Sequence, residues 1–214
     1  EPPEPVNGII GNAGKNGAVF SNSHAYSKNV DRDSKQQIAR FLSSMRNKHH
    51  TGEYITSKVG KGSVKVSLKA DRNELSKNLD DAMVASKKYG NVFEVRPHIE
   101  GVKNPEYRFN DTIGDGVRFD GSNIDSHIKS SFKKYNKDNQ LHNFDNSFLY
   151  FNLLDKIDKT NFPYFIQRLK GYFNNQSKCK FVFIRINDKI LKVDDFGTTK
   201  DFQKVVDKMQ KELL

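Results

Sequence analysis

Apolar positions are sparse before Val64 and dense after it, and from Asp71 onward they recur with periods that name the elements. Leu75, Leu79, Ala82, Met83 and Ser86 share one helical face, which predicts a helix to Tyr89 with Asp71 or Asn73 as cap and Gly90 as stop. Val92 to Ile99 alternates as a strand, with Pro97 marking a position near a sheet edge. Glu106-Tyr-Arg-Phe and Thr112 to Phe119 read as a hairpin around Asn110-Asp111. A helix follows from Ile124 to Lys137 on Ile124, Ile128 and Phe132, with Lys129, Lys133 and Lys134 on its polar side. Ser147 to Leu154 reads as a buried strand, and Asn161-Phe-Pro opens a helix to Phe173 with Pro163 in its first turn. Cys179 to Ile186 and Ile190 to Val193 form a second hairpin around Asn187-Asp188-Lys189. Phe202, Val205, Val206, Met209 and Leu213 make the last stretch an amphipathic helix. The sum is a mixed α/β fold, a sheet flanked by helices.

The earlier residues carry a weaker pattern. Gly8, Gly11, Gly14 and Gly17 recur every third residue, but no Gly-Lys-Ser/Thr follows them, so they read as loop and not as a phosphate cradle. The opening Glu1-Pro-Pro-Glu-Pro reads as linker and shows no secretory-signal pattern. Ile38, Phe41, Leu42 and Met45 predict a helix with Asp33 as its cap. Tyr54-Ile-Thr and Val64 to Leu68 alternate as short strands. His49 and His50 are neighbours and point different ways, so a shared metal is not expected. The expected division is a polar, partly flexible extension over 1–62 and one α/β domain over 63–214.

Charge changes this picture more than composition does. The formal net charge is +10 and the pI is about 9.5, a balance that favours polyanions. With hydrophobic residues at 35% the core has to be local, and the 16 Phe and 8 Tyr are enough for it. Cys179 is the single cysteine, so no intramolecular disulfide is possible, and its apolar strand setting suits a buried thiol better than a nucleophile. No run approaches the roughly 20 apolar residues of a membrane span.

Three acids, Glu74, Glu106 and Asp115, fall where this topology could gather them. Carboxylates sharing one spot repel unless a divalent cation joins them, and such a cation can activate a phosphodiester for attack by water. On spacing alone, ordinary strand-end residues among 26 acids remain the simpler reading. His98 could touch substrate, although a lone histidine beside Pro97 is more often structural. Lys129, Lys133, Lys134 and Lys137 form a row able to meet phosphates, or simply a solvated face.

The wording from Tyr89 to Asp115, and Asn104-Pro-Glu-Tyr-Arg-Phe above all, resembles the C-terminal tRNase-type toxin domain of contact-dependent growth inhibition proteins. Related domains resemble C-terminal pieces of phage-like head proteins. The resemblance implies a restriction-endonuclease-like fold and a PD-(D/E)xK site with a divalent metal, Mg²⁺ foremost. It implies Glu106 and Asp115 as metal ligands and Glu74 as a weaker third. Val117 stands at the position of the family's lysine, so Lys129 or Lys133 from the next helix would have to supply the catalytic cation. His98, Arg118, Lys134 and Lys137 would contact nucleic acid, RNA ahead of DNA. An immunity protein would be a partner, and the site of action would be the bacterial cytoplasm or, in the phage setting, a phage-like particle. The alternative is a catalytically silent nucleic-acid-binding or phage assembly module of the same fold.

Overall fold

The computed structural model describes residues 32–46 and 53–214. The glycine series, the His49-His50 pair and the side chain of Asp33 lie outside the described residues. The class is mixed α/β, as the periodicities predict. Contacts divide the chain into two compact units: one takes in residues up to Glu100 together with Glu106–Asp111, the other Gly101–Pro105 and Thr112–Leu214.

In the first unit, helix α1 (Arg32–Arg46) buries Ile38, Ala39, Phe41 and Leu42. Strands β1 (Tyr54–Val59) and β2 (Gly62–Ser67) form an antiparallel hairpin. The division expected at 62/63 therefore falls inside β2. Helix α2 (Leu75–Lys88) crosses over to β3 (Val92–Val95), which runs parallel to β2 and antiparallel to β4 (Tyr107–Phe109). Pro97 explains why β3 stops short of the expected Ile99, because its ring nitrogen has no hydrogen to give a ladder. Glu106 precedes β4 instead of starting it, though its carbonyl still accepts from Arg96 N at 2.8 Å.

Almost every α2 residue is buried, including Asn78 and Asp81, so polar groups there need partners. The Tyr107 hydroxyl supplies one, 2.8 Å from Asp81 Oδ2 and 2.9 Å from Asn78 Oδ1. The α2 cap differs from expectation. Asp71 Oδ1 accepts from Asn73 N in a tight turn, and the N-cap position falls to Glu74 without a side-chain cap bond.

The second unit holds β5 (Thr112–Arg118), α3 (Ile124–Phe132), β6 (Ser147–Asn152), α4 (Phe162–Asn174), β7 (Cys179–Ile186), β8 (Lys189–Val193) and α5 (Phe202–Leu213). β5, β6 and β7 are parallel neighbours joined by α3 and α4, and β8 returns antiparallel. Six consecutive buried residues make β6 the centre of this sheet, and its Phe148 ring stacks on Phe181 at 5.0 Å. That ring also explains Gly114 on β5: a Cβ there would fall 2.3 Å from it. α4 carries Pro163 in its first turn as expected.

α3 is shorter than its sequence suggests. It ends at Phe132, a 3-10 turn covers Lys133–Tyr135, and Asn136 is extended. Lys133, Lys134 and Lys137 are thus not one row on a helix, and this correction matters for the site.

Candidate functional site

Ile113, Asp115 and Val117 lie on one face of β5, since strand side chains alternate. Ile113 belongs to the core formed with α3, α4 and α5, and Val117 packs against it. Asp115 therefore faces a largely apolar interior, and only 2% of it is exposed. A lone carboxylate there would be costly. The Lys134 ammonium meets it, with Nζ 2.8 Å from Asp115 Oδ2.

The end of α3 makes this meeting possible. Lys134 lies in the 3-10 turn that follows the helix and reaches β5 from there, and Tyr135 beside it is buried. The Tyr135 hydroxyl lies 3.0 Å from the Ser147 hydroxyl, which is also 3.0 Å from the Lys178 carbonyl. Cys179 closes this pocket. Burial raises the Tyr135 phenol well above its ordinary value and pushes the Cys179 thiol up to about 11, against an opposing hydrogen bond from Tyr135.

The thiol is accordingly a structural group. Burial keeps it in the thiol form near neutral pH. A disulfide reagent should leave the native protein nearly untouched and titrate one thiol after unfolding in urea. Rapid reaction of the native form would contradict this burial.

The other candidates fall in both units. Glu106 is half-buried in the first unit, and Glu74, also there, is engaged by Lys77 in an i, i+3 ion pair. Among the described residues no three His, Cys, Asp or Glu side chains are grouped so as to hold a metal ion. Lys129 and Lys133 are exposed, and neither is the cation paired with Asp115. Lys137 is exposed beyond the 3-10 turn. Arg118, on the opposite face of β5 from Val117, is half-buried across from Asn152. His98 is exposed, and its backbone N–H donates to the Lys69 carbonyl at 2.8 Å.

Sequence reasoning did not reach Tyr135, Ser147 or the Asp115–Lys134 pairing. The available signal was Asn136-Lys-Asp-Asn, a turn composition that ends the helix early.

His127 on α3 is the titratable group nearest to a pH switch of stability. Its ring sits edge-on to Phe119 at 4.9 Å and to Phe151 at 6.3 Å, and Nε2 has no hydrogen-bond partner among the described residues. Burial holds its pKa below 6.5, with Asp120 opposing. A depressed folded value means that stability is complete above pH 6.5 and declines below it, as the unfolded imidazole takes a proton that the folded one refuses. His127→Phe should therefore lose less Tm than the parent between pH 7.5 and 5.5. Equal losses in thermal melts would exclude His127 as a contributor.

Comparison with protein-family models, with curated proteins and with solved structures finds no match. Among the described residues no helix is long and apolar enough to cross a membrane.

Proposed function

We propose that the chain is a metal-dependent nuclease-like domain acting on nucleic acid, RNA ahead of DNA, with Asp115 and Lys134 at its centre. The observation that carries the reading is a buried carboxylate–ammonium pair in a chain of net charge +10. A pair of this kind supports phosphodiester chemistry because it couples an acid to a cation. The Lys134 ammonium has three donors, of which one is spent on Asp115; another can meet a phosphate oxygen as negative charge builds there. Asp115 keeps that ammonium oriented.

The donor set suits one mode of metal binding and not another. With no three-acid group among the described residues, a cage made of protein carboxylates does not fit. Mg²⁺ commonly uses one or two carboxylates and completes its shell with water and substrate phosphates, and a single ligand from this unit, Asp115, fits that mode. When bound, such an ion would polarise the phosphoryl group and lower the pKa of a water. Glu74 and Glu106 belong to the first unit and are not carried into this ligand set. The toxin setting, with an immunity protein as partner, rests on the sequence resemblance and belongs to the same proposal.

A second reading is a catalytically silent nucleic-acid-binding or phage assembly module. It is favoured by Val117, which packs against the core where the family's lysine would stand. Incubation with tRNA and with plasmid DNA separates the two. Cleavage that needs Mg²⁺, stops with chelator and is lost in Asp115→Asn supports the enzyme. Salt-sensitive binding without cleavage supports the silent module and rejects the nuclease. Induced expression in bacteria adds a check on the toxin setting, since growth arrest should occur with the parent chain and not with Asp115→Asn.

A further inference from the structure

The basic surface beside Asp115 is not the helical row that the lysine spacing suggests. After the 3-10 turn the chain forms a closely bonded bend: Asn136 N donates to the Lys133 carbonyl at 3.0 Å, Asn139 N to the Asn136 carbonyl at 3.0 Å, and Leu141 N to the Lys134 carbonyl at 2.8 Å. The Asn139 side chain then joins two segments. Its Nδ2 donates to the Lys133 carbonyl at 2.8 Å, and its Oδ1 accepts from Lys103 Nζ at 3.1 Å. Lys103 comes from Gly101–Pro105, which belongs to the same unit. Lys103, Lys133 and Lys137 are all exposed, and Asp138 is the one acid within the bend from Lys133 to Asn139.

From this juxtaposition we infer that the phosphate backbone of a nucleic acid runs over Lys103, Lys133 and Lys137, beside the Asp115–Lys134 pair, and not along α3. The inference deepens the nuclease reading and rests on it for the direction in which the strand leads. Three features support it. Asn139 holds Lys103 in place before any ligand arrives, so less side-chain freedom is lost on binding. Lys133 lies next in sequence to Lys134, the cation on Asp115. The cleft between β8 and α5, by contrast, sets Asp194, Asp195 and Glu212 against Lys192 and Lys208, an acid excess that repels a polyanion.

The test is binding of a labelled mixed-sequence single-stranded RNA to the full chain in EDTA, followed by anisotropy over a salt series. Each phosphate contact with a single strand contributes about 0.7 to the slope of log K against log salt. The triple variant Lys103→Gln/Lys133→Gln/Lys137→Gln should therefore lose about 2 from the slope. The control Lys200→Gln/Lys204→Gln/Lys211→Gln, on and beside α5, should keep the parent slope. Thermal melts of both variants verify that each is folded. An unchanged slope in the first triple, an equal loss in the control, or no binding by the parent overturns the inference. Cleavage by the parent is scored separately with Mg²⁺. A lost slope with a parent that never cleaves keeps this surface and removes the nuclease reading. An unchanged slope with cleavage intact does the reverse.

Discussion

Lys134→Met should destabilise the protein by about 3 kcal/mol, the lower end of the cost of breaking a buried ion pair, and remove the proposed cleavage. The loss follows from what stays behind. Asp115, with 3% of its side chain exposed, would keep its charge without a counter-ion or would have to take up a proton. Removing the acid instead should cost less, because Lys134 is 19% exposed and its flexible stem can carry the ammonium to water. In Asp115→Asn/Lys134→Met the stranded charge is gone, so stability should return to within about 1 kcal/mol of the parent, as when both partners of a buried pair are replaced together. Activity should not return. Urea denaturation of the four proteins measures the cycle, and single variants that match the parent would mean that the pair is solvated in solution. A double variant that regains stability while remaining inactive separates chemistry from folding.

Phe151→Ala should have the largest effect on stability alone, about 3–5 kcal/mol for a fully buried phenylalanine truncated to alanine. Phe151 lies on β6 with no exposed surface, and its ring meets Phe165 on α4 at 5.9 Å, Phe132 on α3 at 6.5 Å and His127 at 6.3 Å. One truncation therefore opens a void against two helices at once, and strand neighbours on both sides keep β6 from shifting to fill it. Phe151→Leu should recover most of the loss. Chemical denaturation followed by circular dichroism reads both values. A cost under about 1 kcal/mol for the alanine variant would mean that the site collapses freely.

Much of this fold is legible along the chain because packing imposes periods. β6 is six buried residues in a row, as a strand between two parallel neighbours has to be. α5 shows its buried Val206, Met209 and Leu213 at helical spacing. The failures occur where a local turn competes with a period. Ile124, Ile128 and Phe132 set a helical rhythm that Lys133 and Lys134 can continue, so nothing in the periodicity announces that α3 stops. The acid and its cation differ likewise: Asp115 is the single acid on β5, whereas Lys134 is one of four nearby lysines, and their spacing does not say which of them meets the carboxylate. Val117 packs against the core, which gives the reason an apolar residue suits that position.

The way the chain alternates between its two units has a consequence for anyone who would divide the gene. Membership changes at 100/101, at 105/106 and again at 111/112. No single cut yields both halves whole. A fragment beginning at Thr112 keeps β5 through α5 but forfeits Lys103, and so the tether on Asn139. Recombination with other modules would transfer this stretch intact only if the breakpoint lay upstream of Gly101, carrying along β4 without the β3 strand it pairs with.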